Sequence, residues 1–157
     1  MARPHIEPFV DRNVDFKKMT LPGFPKGMKY KVLSLDNETG ATIERLLFEL
    51  NQQEGTTLVM INSVCGCSAG TARPGVIMAV MNANKKPDHL ATSFAGFDIE
   101  AVQTLRQHLM PYPPSSPAIA LFKDGQLVHF IERHQIEGRP AQMIANNLIN
   151  AFDQYCN

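Results

Sequence analysis

The sequence predicts an α/β fold in which helices flank a central mixed sheet that ends in an antiparallel hairpin. Apolar runs of strand length alternate with segments whose apolar residues recur at helical spacing. The run Thr56–Asn62 is almost continuously apolar, which is typical of a strand covered on both faces. Near the C-terminus, Asp124-Gly125 separates two short apolar runs and is a strong hairpin signal. The predicted order is strand, helix, strand, helix, strand, helix, hairpin, helix.

Each element has its own signature in the sequence. Runs rich in β-branched and aromatic residues predict strands at Tyr30–Leu35, Thr56–Asn62, His89–Phe94, Ala118–Phe122 and Leu127–Ile131. Capping residues and helical spacing predict four helices. The first begins at Asn37 or Glu38 and has Ile43, Leu46, Leu47 and Leu50 on its buried face, and the second carries Val76, Ile77, Val80 and Met81. The third is capped by Asp98 and carries Ile99, Val102, Leu105 and Leu109, and the fourth has Pro140 in its first turn and Ile144, Leu148, Ile149 and Phe152 facing inward.

The length of the chain sets its domain organisation. With 157 residues, of which 44% are hydrophobic, the chain is long enough to bury one sizeable core but not two. Residues 1–29 are rich in proline, glycine and charge and show no sustained period. We therefore expect an irregular N-terminal arm over residues 1–29 and a single domain over residues 30–157.

Charge and hydropathy argue against nucleic acid and membranes as partners. Lysine plus arginine balances aspartate plus glutamate at 15 each, so no global field draws the chain to nucleic acid or to anionic lipid. No apolar run approaches the length of a membrane span, and the N-terminus lacks the apolar core of a secretion signal. The expected compartment is the cytoplasm, where three cysteines are more plausibly reactive than structural.

Two of those cysteines, Cys65 and Cys67, lie where a predicted central strand turns into a helix. At that position, unpaired backbone N–H groups and the helix dipole favour a thiolate over a thiol. Cys65 is therefore a candidate nucleophile. The glycine between them, Gly66, permits backbone angles closed to other residues, which a very short loop needs to bring two sulfurs together. A strained and exposed disulfide of this kind suits transient exchange.

Two other interpretations of the cysteine pair remain open. Cys65 and Cys67 can be small residues packed in a tight turn, as free cysteines often are. They can also supply two ligands of a zinc site, with Cys156 as a third, although the histidines at positions 5, 89, 108, 129 and 134 are scattered.

The segments around the pair resemble the bacilliredoxin family, whose members are thioredoxin-like proteins with Cys-Gly-Cys in place of Cys-x-x-Cys. The resemblance covers roughly Thr56 to Cys156 and is carried by Asn62-Ser63-Val64-Cys65-Gly66-Cys67, Ala72-Arg73-Pro74-Gly75, Pro113-Pro114-Ser115-Ser116-Pro117, Ala120-Leu121-Phe122-Lys123-Asp124-Gly125, His129-Phe130-Ile131-Glu132-Arg133-His134 and Ile136-Glu137-Gly138-Arg139.

This resemblance implies a thioredoxin-like fold and a thiol–disulfide exchange reaction. Cys65 would attack a mixed disulfide between bacillithiol and a client protein, take the bacillithiol onto its own sulfur and free the client thiol, after which Cys67 would resolve the adduct. No bound cofactor is implied: bacillithiol is a thiol co-substrate, and a low-molecular-weight thiol or a reductase would recycle the enzyme. S-bacillithiolated client proteins are the implied partners, with no nucleic acid and no membrane.

The resemblance also assigns a substrate-binding surface. Ser116-Pro117 corresponds to the cis-proline site of the thioredoxin fold, where the backbone before the proline holds an incoming disulfide chain beside Gly66. Arg73 is a candidate for stabilising the thiolate by its charge, or it is a solvated helix residue. Two alternative functions stay open: a protein disulfide isomerase or general disulfide reductase, and a non-catalytic metal-binding or thiol-sensing module using the same cysteines.

Overall fold

A five-stranded mixed sheet forms the centre of the molecule in the computed structural model, which describes residues 32–34, 55–96 and 99–157. Its strands are β1 (Val32–Ser34), β2 (Thr56–Asn62), β3 (His89–Phe94), β4 (Ala118–Lys123) and β5 (Gln126–Ile131), in the spatial order β1-β3-β2-β4-β5. Strands β1 and β2 run parallel to β3, whereas β4 runs antiparallel to both β2 and β5. The predicted mixed sheet is confirmed, while the arm 1–29 and the predicted first helix lie outside the described residues.

The described residues also form four helices and one π-helical turn. They are the π-helical turn Ser68–Ala72, α1 (Arg73–Asn82), α2 (Ile99–Gln107), α3 (Arg133–Ile136) and α4 (Ala141–Tyr155). Pro74 lies in the first turn of α1, directly after the π-helical turn. The short helix α3 is absent from the sequence-based prediction, and Asp98 lies outside the described residues. None of the described helices is long and apolar enough to cross a membrane.

Strand β2 is the centre of the core because its two faces pack against different helices. Leu58 and Met60 are fully buried in a cluster that includes residues of α1 and α4. Val59 and Ile61, on the opposite face, are buried with residues of α2. Each such side chain contributes about 1.5–3 kcal/mol when it is removed from water. The expectation of a central strand covered on both faces is therefore confirmed.

The helix faces differ from the prediction at two residues. Met81 and Ile99 carry exposed side chains, 52% and 55% accessible to solvent, although their spacing had placed them on the apolar stripes of α1 and α2. In α1 the buried stripe consists instead of Gly75, Val76, Ala79 and Val80, since α4 packs closely against these small residues. Pro140 directly precedes α4 rather than lying in its first turn, and Ile144, Leu148 and Phe152 are buried as predicted.

The hairpin between β4 and β5 is closed by Asp124 and Gly125. Both residues have positive φ angles, 51° and 81°, the combination that a type I′ turn requires. Such a turn matches the right-handed twist of the flanking strands, so each strand continues one residue further toward the turn than predicted.

Helices α1 and α4 approach each other closely at Gly75, and this approach leads to a prediction about stability. A Cβ atom on Gly75 would lie 2.8 Å from the Cβ of Ile144. Alanine gains up to about 1 kcal/mol over glycine inside a helix, but overpacking a core costs about 1–3 kcal/mol. We therefore expect Gly75→Ala to lower the free energy of unfolding by about 1–2 kcal/mol in urea titrations.

The matched control is Gly70→Ala in the π-helical turn. A Cβ atom there meets no described atom within 4 Å. This variant should be as stable as the parent chain or slightly more stable. Equal stabilities of the two variants would show that α1 and α4 separate without cost.

Candidate active site

The turn after β2 places both cysteines at the start of a helix. Strand β2 ends at Asn62, Cys65 lies in a bend, and Cys67 lies in the first helical residues. The π-helical turn follows directly, and its widened geometry is shown by the Arg73 backbone N–H, which donates to the carbonyl of Ser68. Single π-helical turns are rare and are frequent at functional sites.

The two thiols lie close together and are both free. Their Sγ atoms are 2.7 Å apart, and each residue is half-buried. The expectation that Gly66 adopts angles closed to other residues is wrong: it is helical, it has no positive φ, and a Cβ atom on it meets no described atom within 4 Å. The bend at Val64 and Cys65, which precedes the helix, brings the two sulfur atoms together instead.

The surroundings of Cys65 favour its thiolate. Burial opposes the charged form, but hydrogen bonds from Cys67, from Ser63 and from the backbone N–H groups of Ser68 and Cys67 outweigh it and lower the pKa of Cys65 to about 7. The Ser63 hydroxyl donates to the Cys65 sulfur over 3.3 Å. The lowered pKa has the direction that a position at a helix start predicts. Near neutral pH, about half of Cys65 is therefore ready to attack.

Cys67 behaves in the opposite way. Burial raises the pKa of its thiol, and the hydrogen bond to Cys65 and the negative charge of Cys65 raise it further, while the positive charge of Arg133 lowers it. When Cys65 loses its proton, the pair contains one thiolate and one thiol, since the proton that stays on Cys67 stabilises the charge on Cys65. This asymmetry identifies Cys65 as the better nucleophile.

A buried polar cluster lies beneath the turn. The side-chain oxygen of Asn62 accepts hydrogen bonds from the Ser63 backbone N–H, the Ser68 hydroxyl and the Nη1 of Arg73, and both Asn62 and Ser68 are fully buried. Burial lowers the pKa of Arg73, and the negative charge of Cys65 offsets part of that effect. Arg73 is thus a partly buried cation next to the thiolate rather than a solvated helix residue.

The loop before β4 forms the other side of the site. The Ser116–Pro117 peptide bond is cis, the form that the family resemblance implies. Because Ile61 pairs with Ala118, Pro117 enters β4 at the edge of the sheet where β2 ends. The loop thus lies next to the cysteine turn.

Two arginines that the sequence analysis did not single out hold this loop. Arg106 donates to the carbonyl of Ser115 over 3.1 Å, and Arg133 donates to the carbonyl of Ser116 over 3.2 Å. Arg133 also acts electrostatically on both cysteines, whose charges raise the pKa of its guanidinium after the larger effect of a hydrogen bond to Glu137. A sequence signal for its position was available, since Glu132 and Gln135 have the spacing of a capping box at the start of α3.

The remaining chemistry-bearing residues lie elsewhere. Cys156 is buried at the end of α4, where its thiol is hydrogen-bonded to Thr56 at the start of β2. Since β2 has seven residues, about 20 Å of strand separate it from the cysteine turn. His129 is hydrogen-bonded to Asn147 on α4. Within the described ranges, no three histidine, cysteine, aspartate or glutamate side chains form a group that could hold a metal ion.

Comparisons with known proteins agree with this geometry. Residues 24–156 match the model of a protein family described as disulphide isomerase. A bacilliredoxin of Bacillus cereus is 43% identical over 140 residues, which are 89% of this chain and 94% of the relative. A bacilliredoxin of Cytophaga hutchinsonii is 59% identical over 103 residues, 66% of this chain and 76% of the relative.

Solved structures show the same fold at low identity. A thioredoxin from Nicotiana alata superposes with a TM-score of 0.53 at 12% identity and covers 85% of this chain and 99% of its own. A thioredoxin mutant from Halobacterium salinarum gives 0.51 at 16% identity, covering 83% and 97%. The predicted thioredoxin-like fold is thereby confirmed.

The hydrogen bond from Ser63 allows the Cys65 pKa to be tested. In the parent chain, the rate of Cys65 alkylation by iodoacetamide should rise with pH through a midpoint near about 7, because only the thiolate reacts. In Ser63→Ala the midpoint should move upward, and alkylation at pH 7 should slow by about two- to threefold, since the thiolate loses a charge-assisted hydrogen bond. Mass spectrometry of the modified peptide measures both.

Thr71→Val is the control for this experiment. It removes a hydroxyl from the same region, but that hydroxyl donates to the carbonyl of Arg139 and not to a thiol. Its midpoint should match the parent. An unchanged midpoint in Ser63→Ala would contradict the role of the serine.

Proposed function

The chain belongs to the bacilliredoxin family and is a thiol–disulfide oxidoreductase, and we propose that it removes bacillithiol from mixed disulfides on client proteins through Cys65. The observation that carries the proposal is the lowered pKa of Cys65, about 7, with the Cys67 sulfur 2.7 Å away. A thiolate whose pKa is close to the ambient pH is the best attacking group in disulfide exchange. The proposed setting is a reducing cytoplasm.

In the first step, the Cys65 thiolate attacks the bacillithiol sulfur of the mixed disulfide. A new disulfide forms between Cys65 and bacillithiol, the client–bacillithiol bond breaks, and the client leaves as a thiolate that takes up a proton from solvent. Cys65 is oxidised to a disulfide and the client cysteine is reduced to a thiol, so the two electrons of the exchange are accounted for.

In the second step, Cys67 resolves the adduct. Its thiolate attacks the Cys65 sulfur, a disulfide forms between the two cysteines, and bacillithiol leaves as a thiolate. A low-molecular-weight thiol or a reductase then supplies two electrons to return both cysteines to thiols. The close approach of the sulfurs supports this role for Cys67, because little motion is needed to join them.

The incoming disulfide chain would lie between the cysteine turn and the cis-proline loop. No atom of the described residues lies within 4 Å of a Cβ built on Gly66, and the loop places Pro117 at the edge of the sheet where β2 ends. Since the carbonyl of Ser116 is already bound by Arg133, the loop is fixed before substrate arrives. These features support Gly66, Ser116 and Pro117 as substrate-binding residues.

A second candidate function is disulfide isomerisation or general disulfide reduction on protein substrates. The description of the matching family model favours it. The chemistry of the first step is the same, except that Cys65 attacks a disulfide between two protein cysteines and forms a mixed disulfide with the client itself. The species trapped on Cys65 therefore separates the two functions.

The trapping experiment uses a client protein carrying bacillithiol and the variants Cys67→Ala and Cys65→Ala. Without Cys67 the adduct cannot be resolved, so Cys67→Ala should accumulate bacillithiol on Cys65 while the client thiol appears. Cys65→Ala should leave the client modified. Intact-protein mass spectrometry measures both products, and a glutathione-modified client run in parallel measures the preference for bacillithiol.

Cys156→Ala is the matched control, because it removes a thiol that lies about 20 Å of strand away from the site. It should turn over like the parent chain. If Cys67→Ala captures the client protein instead of the small thiol, the isomerase or reductase function replaces the proposal. An unmodified Cys65 beside a fully modified client would reject de-bacillithiolation.

Arg73 is proposed to stabilise the Cys65 thiolate from beneath. Its Nη1 donates to Asn62 over 3.2 Å, and its Nε is buried with no hydrogen-bond partner in the described part of the chain, so its charge is poorly screened by water. Arg73→Met should therefore raise the pKa of Cys65. The measurement is the pH profile of Cys65 alkylation, in which the midpoint should move upward.

Arg73→Lys supplies the rescue test, since it restores the charge without the planar guanidinium. Its midpoint should lie between those of the parent and of Arg73→Met. Arg139→Met removes an exposed arginine near the start of α4 and should leave the midpoint unchanged. Coincident profiles for Arg73→Met and the parent would exclude an electrostatic role for Arg73.

A further inference from the structure

Arg133 has a position in the site that the exchange chemistry does not explain. It begins α3 directly after β5, and its Nη1 donates to the carbonyl of Ser116, the residue before the cis-proline. Its backbone N–H donates to the Ser115 hydroxyl over 3.4 Å. These contacts fix the guanidinium beside the loop where an incoming disulfide chain would lie.

The guanidinium of Arg133 also has N–H donors available for a further hydrogen-bond partner. Its Nε and Nη2 donate to a single oxygen of Glu137, over 3.2 and 3.0 Å. Of the five N–H groups of an arginine, two therefore have no partner among the described residues. The side chain is 42% exposed, so these donors are open to a ligand.

The ion pair with Glu137 orients the guanidinium of Arg133 but leaves it able to bind another carboxylate. Both partners are exposed and lie one helical turn apart, and exposed ion pairs of this kind are weak and easily exchanged. A planar guanidinium with free N–H groups matches a carboxylate in particular, because it can donate two parallel hydrogen bonds. Arg73 cannot serve in this way, since its Nε is buried and its Nη1 is bound to Asn62.

We propose that Arg133 binds a carboxylate of the small thiol in the mixed disulfide and thereby selects anionic low-molecular-weight thiols as substrates. The inference rests on the proposed function, because it concerns the substrate of the same Cys65 exchange. The carboxylate would lie at the edge of the cis-proline loop, on the side of α3, while the disulfide lies between Ser116 and the cysteine turn. Bonds are made and broken as in the first exchange step, and Arg133 takes no proton.

A matched pair of substrates isolates the carboxylate. A cysteine peptide without acidic residues is converted to its mixed disulfides with N-acetylcysteine and with N-acetylcysteine amide, which differ only in one carboxylate. Both are offered together to the parent chain, and the two rates are compared in one sample. The parent should prefer the carboxylate form by about five- to tenfold, the size of an exposed charge-assisted hydrogen bond.

The variants Arg133→Gln and Arg133→Lys decide where the preference arises. Arg133→Gln should reduce the ratio to about one, and Arg133→Lys should keep part of it, because a lysine retains the charge but not the paired donors. The ratio does not depend on how much of a variant is folded, and any effect of Arg133 on the cysteine pKa values alters both rates equally. Lys123→Gln, which removes a charge at the opposite end of β4, should keep the parent ratio.

The outcomes separate this inference from the function on which it rests. A parent chain that acts on both substrates at equal rates, or an Arg133→Gln variant that keeps the full preference, overturns the carboxylate site and leaves the Cys65 reaction standing. A parent chain that acts on neither substrate while its Cys65 is reduced overturns both. A peptide client with added glutamate residues tests whether a carboxylate of the client competes with the small thiol for Arg133. If this competition abolishes the preference for the carboxylate form of the small thiol, the proposal is also overturned.

Discussion

The geometry of the site depends on the hydrogen bonds that the side-chain oxygen of Asn62 accepts. This oxygen receives the Ser63 backbone N–H, the Ser68 hydroxyl and the Arg73 guanidinium, and so joins the end of β2 to the cysteine turn and to α1. Without this acceptor, three donors would lose a partner in a buried region, at about 1–3 kcal/mol for each buried group. The amide of Asn62 carries no charge, so its hydrogen bond leaves the positive charge of Arg73 unneutralised.

Two arginines therefore interact electrostatically with the cysteine pair, in different environments. Arg73 is partly buried, and the charge of Cys65 acts on its guanidinium. Arg133 lies on the exposed side, held by Ser116 and Glu137, where it is accessible to a ligand. Arg106 adds a second contact to the loop, because it donates to the carbonyl of Ser115.

The sequence predicted those features that depend on local patterns. The strands, the Asp124-Gly125 hairpin and the inward face of α4 follow from hydrophobic period and turn chemistry, and the placing of Cys65 and Cys67 follows from the boundary between β2 and the next helix. The π-helical turn and the partners of Arg133 depend on contacts between distant segments, which leave no periodic signal. The expectation that Gly66 adopts angles closed to other residues was wrong, because the bend at Cys65, before the helix, provides the turn.

The unequal pKa values of the two cysteines also set the order of the two exchange steps. Burial raises the pKa of Cys67, and the other causes that raise it are the hydrogen bond to Cys65 and the negative charge of Cys65. When Cys65 enters a mixed disulfide, it no longer carries that charge, so both of these causes disappear, while the positive charge of Arg133 continues to lower the Cys67 pKa. In the proposed exchange, formation of the adduct would therefore activate Cys67 for the second step, and before substrate arrives the Cys67 thiol would keep its proton and stabilise the Cys65 thiolate.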